Sequence, residues 1–155
     1  MIAAETIRAI EDKALALREL IVRDLIGEGK VGHLGGSCSL AEIVATLYFH
    51  KMKHDPANPK NPDRDRFLLS KGHAALVQYA ALALAGYFPV SELKKVKSLG
   101  AMLQGHPDMT KTPGIEANTG SLGQGLSVAN GMGLGLRLDG SPRRVYVIVG
   151  AGERA

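Results

Sequence analysis

The stretch VYVIVGAGERA, Val145 to Ala155, sets five apolar residues in a row before Gly-Ala-Gly. A continuous apolar run of that length bounded by glycine reads as a strand buried on both faces, of the kind found in parallel sheets covered by helices. A strand of this type delivers something at its carboxyl end, where open α/β sheets hold their ligands. GAGERA (150–155) also matches the G-x-G-x-x-A dinucleotide fingerprint. That match requires a following helix, a second strand and an acidic residue about 20 positions on. The sequence has none of these after Gly150, so the dinucleotide reading is set aside.

Working back from this strand, helical patterns alternate with short strand patterns, which predicts an α/β fold with a mostly parallel sheet covered by helices. The chain reads as a single domain over 1–155. Between Glu5 and Ile26 the residues Ile7, Ile10, Ala14, Leu17, Ile21 and Leu25 recur at helical spacing, and Gly27 and Gly29 end the pattern. After the tight segment GHLGGS (32–37), Ser39 and Glu42 form a capping-box pair that predicts a helix with Ile43, Val44, Leu47 and Tyr48 on one face. The stretch KHDPANPKNPDRD (53–65) carries three prolines and reads as an ordered surface loop. RFLLS (66–70) is a strand candidate that runs through KGH into an alanine-rich helix from about Ala74 to Ala85. Ser91 caps a short basic helix to about Lys97, and a long loop follows from Gly100 to Ser121. A helix with Gly125, Gly131, Gly133 and Gly135, glycines that suit close helix packing, leads through the DGSPR turn to the final strand.

Composition narrows the function classes. The 155 residues are 45% hydrophobic and 22% charged, which excludes bulk disorder. The net charge of +4 is spread along the chain, and with 5% aromatics and no Trp there is little on which bases could stack, so nucleic acid is not an expected partner. No run of about 18 apolar residues is present to span a membrane. The amino terminus is amphipathic and acidic rather than a basic region followed by an apolar run, so it is not read as a signal peptide. A single cysteine, Cys38, leaves no intrachain disulfide and fits a reducing compartment. The expected location is the cytoplasm.

The five histidines fall into two sets. His50 and His54 stand one helical turn apart in HKMKH, but Lys51 occupies the position where a zincin has Glu, and a metal site wants a third ligand. They read as a solvated helix end. His33, His73 and His106 each sit beside glycine at an element junction, in GHLGG, KGHAA and QGHPD. Imidazole both gives and takes protons near neutral pH, so three such residues can line a polar cleft. By spacing alone, a cleft and three surface histidines both stay open. GSLGQG (120–125) leads into a helix, and glycine-lined backbone at a helix entry offers N–H groups to a polar or anionic ligand.

Four segments, VGHLGGSCSLAEIVATLYF (31–49), NPDRDRFLLSKGHAALVQYA (61–80), LQGHPDMTKTPGIEANTGSLGQGLSVANGMGLGL (103–136) and YVIVGAGE (146–153), occur in the order and spacing of a known family. Together they resemble the amino-terminal section of transketolase, in particular the form made as separate amino- and carboxy-terminal subunits. The resemblance runs from about Ile7 onward and implies a partial thiamine-diphosphate-binding domain. It also implies transfer of a two-carbon ketol unit from a ketose phosphate to an aldose phosphate, with thiamine diphosphate and Mg2+ (or Ca2+) as cofactors. The implied partners are a carboxy-terminal transketolase section and a second copy in a homo-oligomer. A deoxyxylulose-phosphate synthase, another thiamine enzyme, is disfavoured by SKGH and QGHPD.

The resemblance also assigns residues. His33 corresponds to a histidine that contacts substrate hydroxyls and helps move protons, His73 to one beside the diphosphate and thiazolium, and His106 to one facing the first carbons of the substrate. Gly120 and Leu122 correspond to backbone contacts with the aminopyrimidine, and Gly152 to a backbone N–H near a phosphate. The family strand ends in GDG, whose aspartate binds the divalent ion, with a downstream asparagine completing the ligands. This chain has Ala151 there and reaches Ala155 before any such asparagine. A methyl group cannot ligate a hard cation. The expectation is a lost metal site and an inactive chain in isolation. The alternative is a non-catalytic derivative that keeps the fold as an assembly or scaffold remnant.

Overall fold

A computed structural model describes residues 2–27 and 32–154. Helix α1 (Ala4–Leu20) follows the predicted spacing and continues through a π-helical turn, Ile21–Ile26, to Gly27. Gly29, the second predicted stop, lies outside the described residues. The buried stripe of this helix is Ala14, Leu17, Leu20, Ile21 and Leu25, whereas Ile7 is exposed near the helix start. Helices α2 (Leu34–Cys38) and α3 (Ala41–Thr46) follow, the latter passing into a π-helical turn at Leu47–Lys51. The predicted capping box does not form. The Ser39 hydroxyl bonds back to the Gly36 carbonyl (3.3 Å), because α2 ends just before it, and Glu42 turns away to accept from Arg18 (2.7 Å). Val44 and Tyr48 face the core as expected, but Ile43 is exposed.

Strand β1 (Arg66–Leu69) leads through a 3-10 turn at Gly72–Ala74 into α4 (Ala75–Ala85). Every residue of α4 from Ala75 to Ala83 is buried, so this helix has no solvent face and forms the centre of the core. Its end is marked by Gly86, whose N–H bonds the Ala83 carbonyl (3.0 Å). The basic segment predicted from Ser91 is a 3-10 turn, Val90–Lys95, that starts after Pro89 without a side-chain cap. No helix or strand lies between it and α5 (Gln124–Leu138), as the long predicted loop requires. Strand β2 is Val145–Ile148.

The two strands run parallel, with Phe67 opposite Tyr146 and Leu69 opposite Ile148. Those four side chains face the α1, α3 and α4 layer, where the Phe67 ring meets Tyr48 edge-on (5.5 Å between centroids). Helix α5 packs on the other face. The fold is therefore α/β, a parallel pair covered by helices. One expectation is corrected. The apolar run of β2 predicts burial on both faces, yet all four of its residues are half-buried, because β1 is its one strand partner among the described residues. The glycines of α5 also divide. A Cβ at Gly125 would sit 2.6 Å from Ser70, so the helix start rests directly on the end of β1, whereas Gly131, Gly133 and Gly135 face open space rather than a packed neighbour.

Among the described residues no helix is long and apolar enough to cross a membrane. His50 is exposed, as a solvated helix end should be, but His54 is not solvated in that way. Its ring stacks on Tyr87 (5.7 Å between centroids), Nε2 bonds the Tyr48 carbonyl (2.7 Å) and Nδ1 lies 3.1 Å from the Tyr87 hydroxyl. The proline loop swings it off the helix and onto the core edge.

Candidate functional site

Parallel strands end at the same side of a sheet, so the loops after β1 and β2 meet. The Ser70 N–H bonds the Ile148 carbonyl (2.9 Å), and the chain then turns tightly through Lys71 and Gly72 to His73. A Cβ on Gly72 would fall 2.7 Å from the Thr119 carbonyl carbon, so only glycine lets this turn lie against the Thr119–Gly120 backbone. Gly120 has φ of +145°, a left-handed backbone, and a Cβ there would approach the His106 ring to 3.0 Å. Two loops far apart in sequence are thereby brought together, His73 on one and Gly120 on the other.

The third loop comes from before α2. The His33 and His73 rings meet edge-on with centroids 5.1 Å apart, and a Cβ added at Gly36 of α2 would lie 4.0 Å from the same His73 ring. His33, His73 and His106, which spacing alone left undecided, thus gather on one face with Gly120 among them. His73 is half-buried while His33 and His106 are exposed, so the face is open to solvent. Leu122 stands exposed at its edge. Burial pushes the His73 imidazole below its ordinary pKa, and His33, Lys71 and His106 push the same way against a smaller opposing effect of Glu153. These effects favour the neutral imidazole of His73, the form that can accept a proton.

The sequence reading missed Glu153. Its carboxylate Oε1 accepts from the Ser70 hydroxyl (2.7 Å) and from the Gly123 N–H (3.0 Å), and Oε2 accepts from the Gly150 N–H. Burial opposes its ionisation, but the hydrogen bonds from Gly123, Gly150 and Ser70 outweigh that effect and hold its carboxyl below the ordinary range. It ties the end of β2 to the end of β1 and to the entry of α5. Its position directly after the strand-end glycines was the available signal. Thr119 was missed as well: its Oγ1 is buried without a hydrogen-bond partner among the described residues, beside the Gly72 turn. Ala151 and Gly152 are exposed, and among the described residues, chain neighbours aside, no atom lies within 4 Å of where a Gly152 Cβ would be.

A cavity of about 600 Å³ lies elsewhere, between the proline loop and Met109–Glu116. It contains no histidine and its central Arg64 is already bonded to Glu116, so the chemistry rather than the volume identifies the site. Among the described residues no group of three or more His, Cys, Asp or Glu side chains is arranged to hold a metal ion.

A helix-covered parallel pair with ionisable side chains and glycine backbone at the strand ends is a ligand-binding α/β domain. The family model "Transketolase, thiamine diphosphate binding domain" matches residues 10–139, and the chain belongs to that family. A 6-deoxy-6-sulfo-D-fructose transketolase subunit of Clostridium sp. (strain MSTE9) is 49% identical over 144 residues, 93% of this chain and 52% of the relative. An apulose-4-phosphate transketolase component from Actinobacillus succinogenes is 43% identical over the same shares. This chain spans about half the length of both. Among solved structures, transketolase from Leishmania mexicana aligns with a TM-score of 0.83 at 35% identity, over 94% of this chain and 23% of that one. Transketolase from Campylobacter jejuni aligns at 0.84 and 33%, over 95% and 24%.

Proposed function

We propose that this chain supplies the cofactor-binding part of a transketolase, which moves a two-carbon ketol unit from a ketose to an aldose. The observation that carries the reading is the meeting of His33, His73 and His106 at the Gly120 backbone. Thiamine diphosphate, when bound, supplies the electron sink that lets a carbon–carbon bond beside a carbonyl break. A place for its organic part is supported by the Thr119 hydroxyl, buried without a hydrogen-bond partner among the described residues, and by the resemblance that assigns ring contacts to the Gly120 and Leu122 backbone. In this reading neutral His73 takes up a proton beside the cofactor, His33 holds substrate hydroxyls, and His106 faces the reacting carbons. Gly152 offers its N–H to a phosphate. The relatives' names, apulose-4-phosphate and 6-deoxy-6-sulfo-D-fructose, point to a sugar with a tetrahedral anion at its far end, in the class of the sugar phosphates.

The divalent ion does not fit in the same way. Ala151 carries no oxygen where an ion ligand is wanted, and Glu153 is engaged with Ser70, Gly123 and Gly150. That observation favours a second reading, a non-catalytic derivative that keeps the fold as an assembly or scaffold remnant. Calorimetry with thiamine diphosphate separates the two. The chain as it stands should show no gain in affinity on adding magnesium, whereas Ala151→Asp should gain tenfold or more with magnesium if the site is otherwise intact. Absence of cofactor binding in both forms would favour the remnant; a magnesium-dependent gain in the unaltered chain would contradict the account of Ala151.

The proposed partners are a carboxy-terminal transketolase section and a second copy of the chain. Two observations support them: half-buried β2 has β1 as its one strand partner among the described residues, and a cavity of about 530 Å³ lies between α5 (Ala129, Gly133, Leu134) and β2 (Val145, Val147). Light scattering across a concentration series should show self-association. A constant monomeric mass at tens of micromolar with cooperative unfolding would refute it. The single cysteine remains the ground for proposing a cytoplasmic location.

A further inference from the structure

At the opposite end of the sheet from the histidines, where β2 begins, lies a second cavity of about 290 Å³. Lys51 and Lys53, just beyond α3, and Arg143 and Arg144, just before β2, line it together with Asp65, Pro142 and Tyr146. Among the described residues none of these four cations is in an ion pair. Asp65 contributes one negative charge against these four cations, so the lining stays net cationic, and its buried carboxylate is held by backbone. Oδ2 accepts from the Lys53 N–H (2.9 Å) and Oδ1 from the Arg144 N–H (2.9 Å). Asp65 thereby fixes the two cationic segments beside each other.

A second observation points to an acceptor that the chain itself does not provide. Arg143 Nε is buried with no hydrogen-bond partner among the described residues. A guanidinium N–H shut away from water wants an oxygen, and a tetrahedral oxyanion offers several at the spacing of the guanidinium fork. The cavity is at the lower bound of what holds a drug-sized molecule, so it suits a phosphate group rather than a nucleotide.

We propose that Lys51, Lys53, Arg143 and Arg144 form an anion site for a phosphate group, separate from the histidine face. The group is either inorganic phosphate or the phosphate of a small ester. The site is independent of the transketolase reading and stands or falls without it. Amide NMR of the full chain, titrated with inorganic phosphate and with glycerol 3-phosphate, tests it. Binding of either should give saturable shifts at Lys53, Arg143, Arg144 and Tyr146 that weaken as salt is raised. Tighter binding of glycerol 3-phosphate would identify the ligand as an ester, and equal affinity would identify the phosphate group alone. Arg143→Gln should weaken binding at least tenfold. Lys53→Gln, at an exposed side chain with no ion pair among the described residues, should weaken it severalfold and guards against a folding defect in the first variant. His73→Ala should leave it unchanged. No shift at these amides up to about 10 mM ligand, or equal affinity in the unaltered chain and both cation variants, would overturn the proposal.

Discussion

Removing the Glu116 carboxylate should be the most damaging single change to a charged residue near the site. Glu116 lies three residues before Thr119, in the loop that brings Gly120 against His106. It accepts from Arg64 Nη1 and, at 3.1 Å, from Arg64 Nη2, and its Oε2 lies 3.6 Å from Arg66 Nε. The side chains are 9% exposed for Glu116, 13% for Arg64 and 18% for Arg66, so water replaces little of what is lost. Burial and Arg64 already lower the Arg66 pKa, with Glu116 among the groups opposing them, which means one carboxylate serves two crowded guanidiniums. Breaking a buried pair by deleting one partner costs about 3–5 kcal/mol. Arg64 keeps its bond from Nε to the Pro59 carbonyl (2.6 Å), which places Glu116→Ala near the low end, about 3 kcal/mol. For a chain of this size that lowers Tm by about 6–12 °C. The control is Glu42→Ala, which loses only the exposed contact with Arg18 and should cost less than about 1 kcal/mol. Urea and thermal unfolding followed by circular dichroism measure both. Equal losses in the two variants would refute the account of Glu116 as a buried anchor.

Three further outcomes are expected. His73, lowered first by burial and then by His33, should titrate below about 6.5 in proton NMR. His33→Ala should raise it without restoring the ordinary value, and a His73 pKa above that value in the unaltered chain would contradict the geometry. Glu153 is an acid with a depressed folded-state pKa, so its contribution is complete above the ordinary carboxylate pKa of about 4.3 and is lost as pH falls through the folded value. Glu153→Gln should therefore be less stable at pH 7 and lose that part of the acid dependence; unfolding curves that run parallel to the parent below pH 4 would count against it. Gly120→Ala, with φ of +145° and a Cβ 3.0 Å from His106, should cost about 1–3 kcal/mol and displace the His106 resonances, and an unperturbed His106 would show that the contact is absent.

Local pattern made much of this fold legible. The stripe of α1, the apolar run of α4 and the strand RFLL depend on spacing within one element, and each appears within a residue or two of its predicted place. What escaped depends on residues far apart in the chain. Ser39 fails as a cap because of where α2 ends, and the burial of β2 depends on how many strands lie beside it. The histidines were visible because each stands next to glycine at an element junction. Glu153 was not, because its hydrogen bond to Ser70 joins positions 83 residues apart. Thr119 escaped for a similar reason: its orphaned hydroxyl is a property of the Gly72 approach, which no local motif encodes.

The central claim is that the histidine and glycine face receives thiamine diphosphate, and amide NMR of the chain titrated with that cofactor tests it most directly. The account predicts saturable shifts at Gly72, His73, Thr119, Gly120 and Leu122, strongly weakened by His73→Ala. No shift at these amides up to about 10 mM cofactor, or shifts confined to Arg143 and Arg144 at the other end of the sheet, would contradict it.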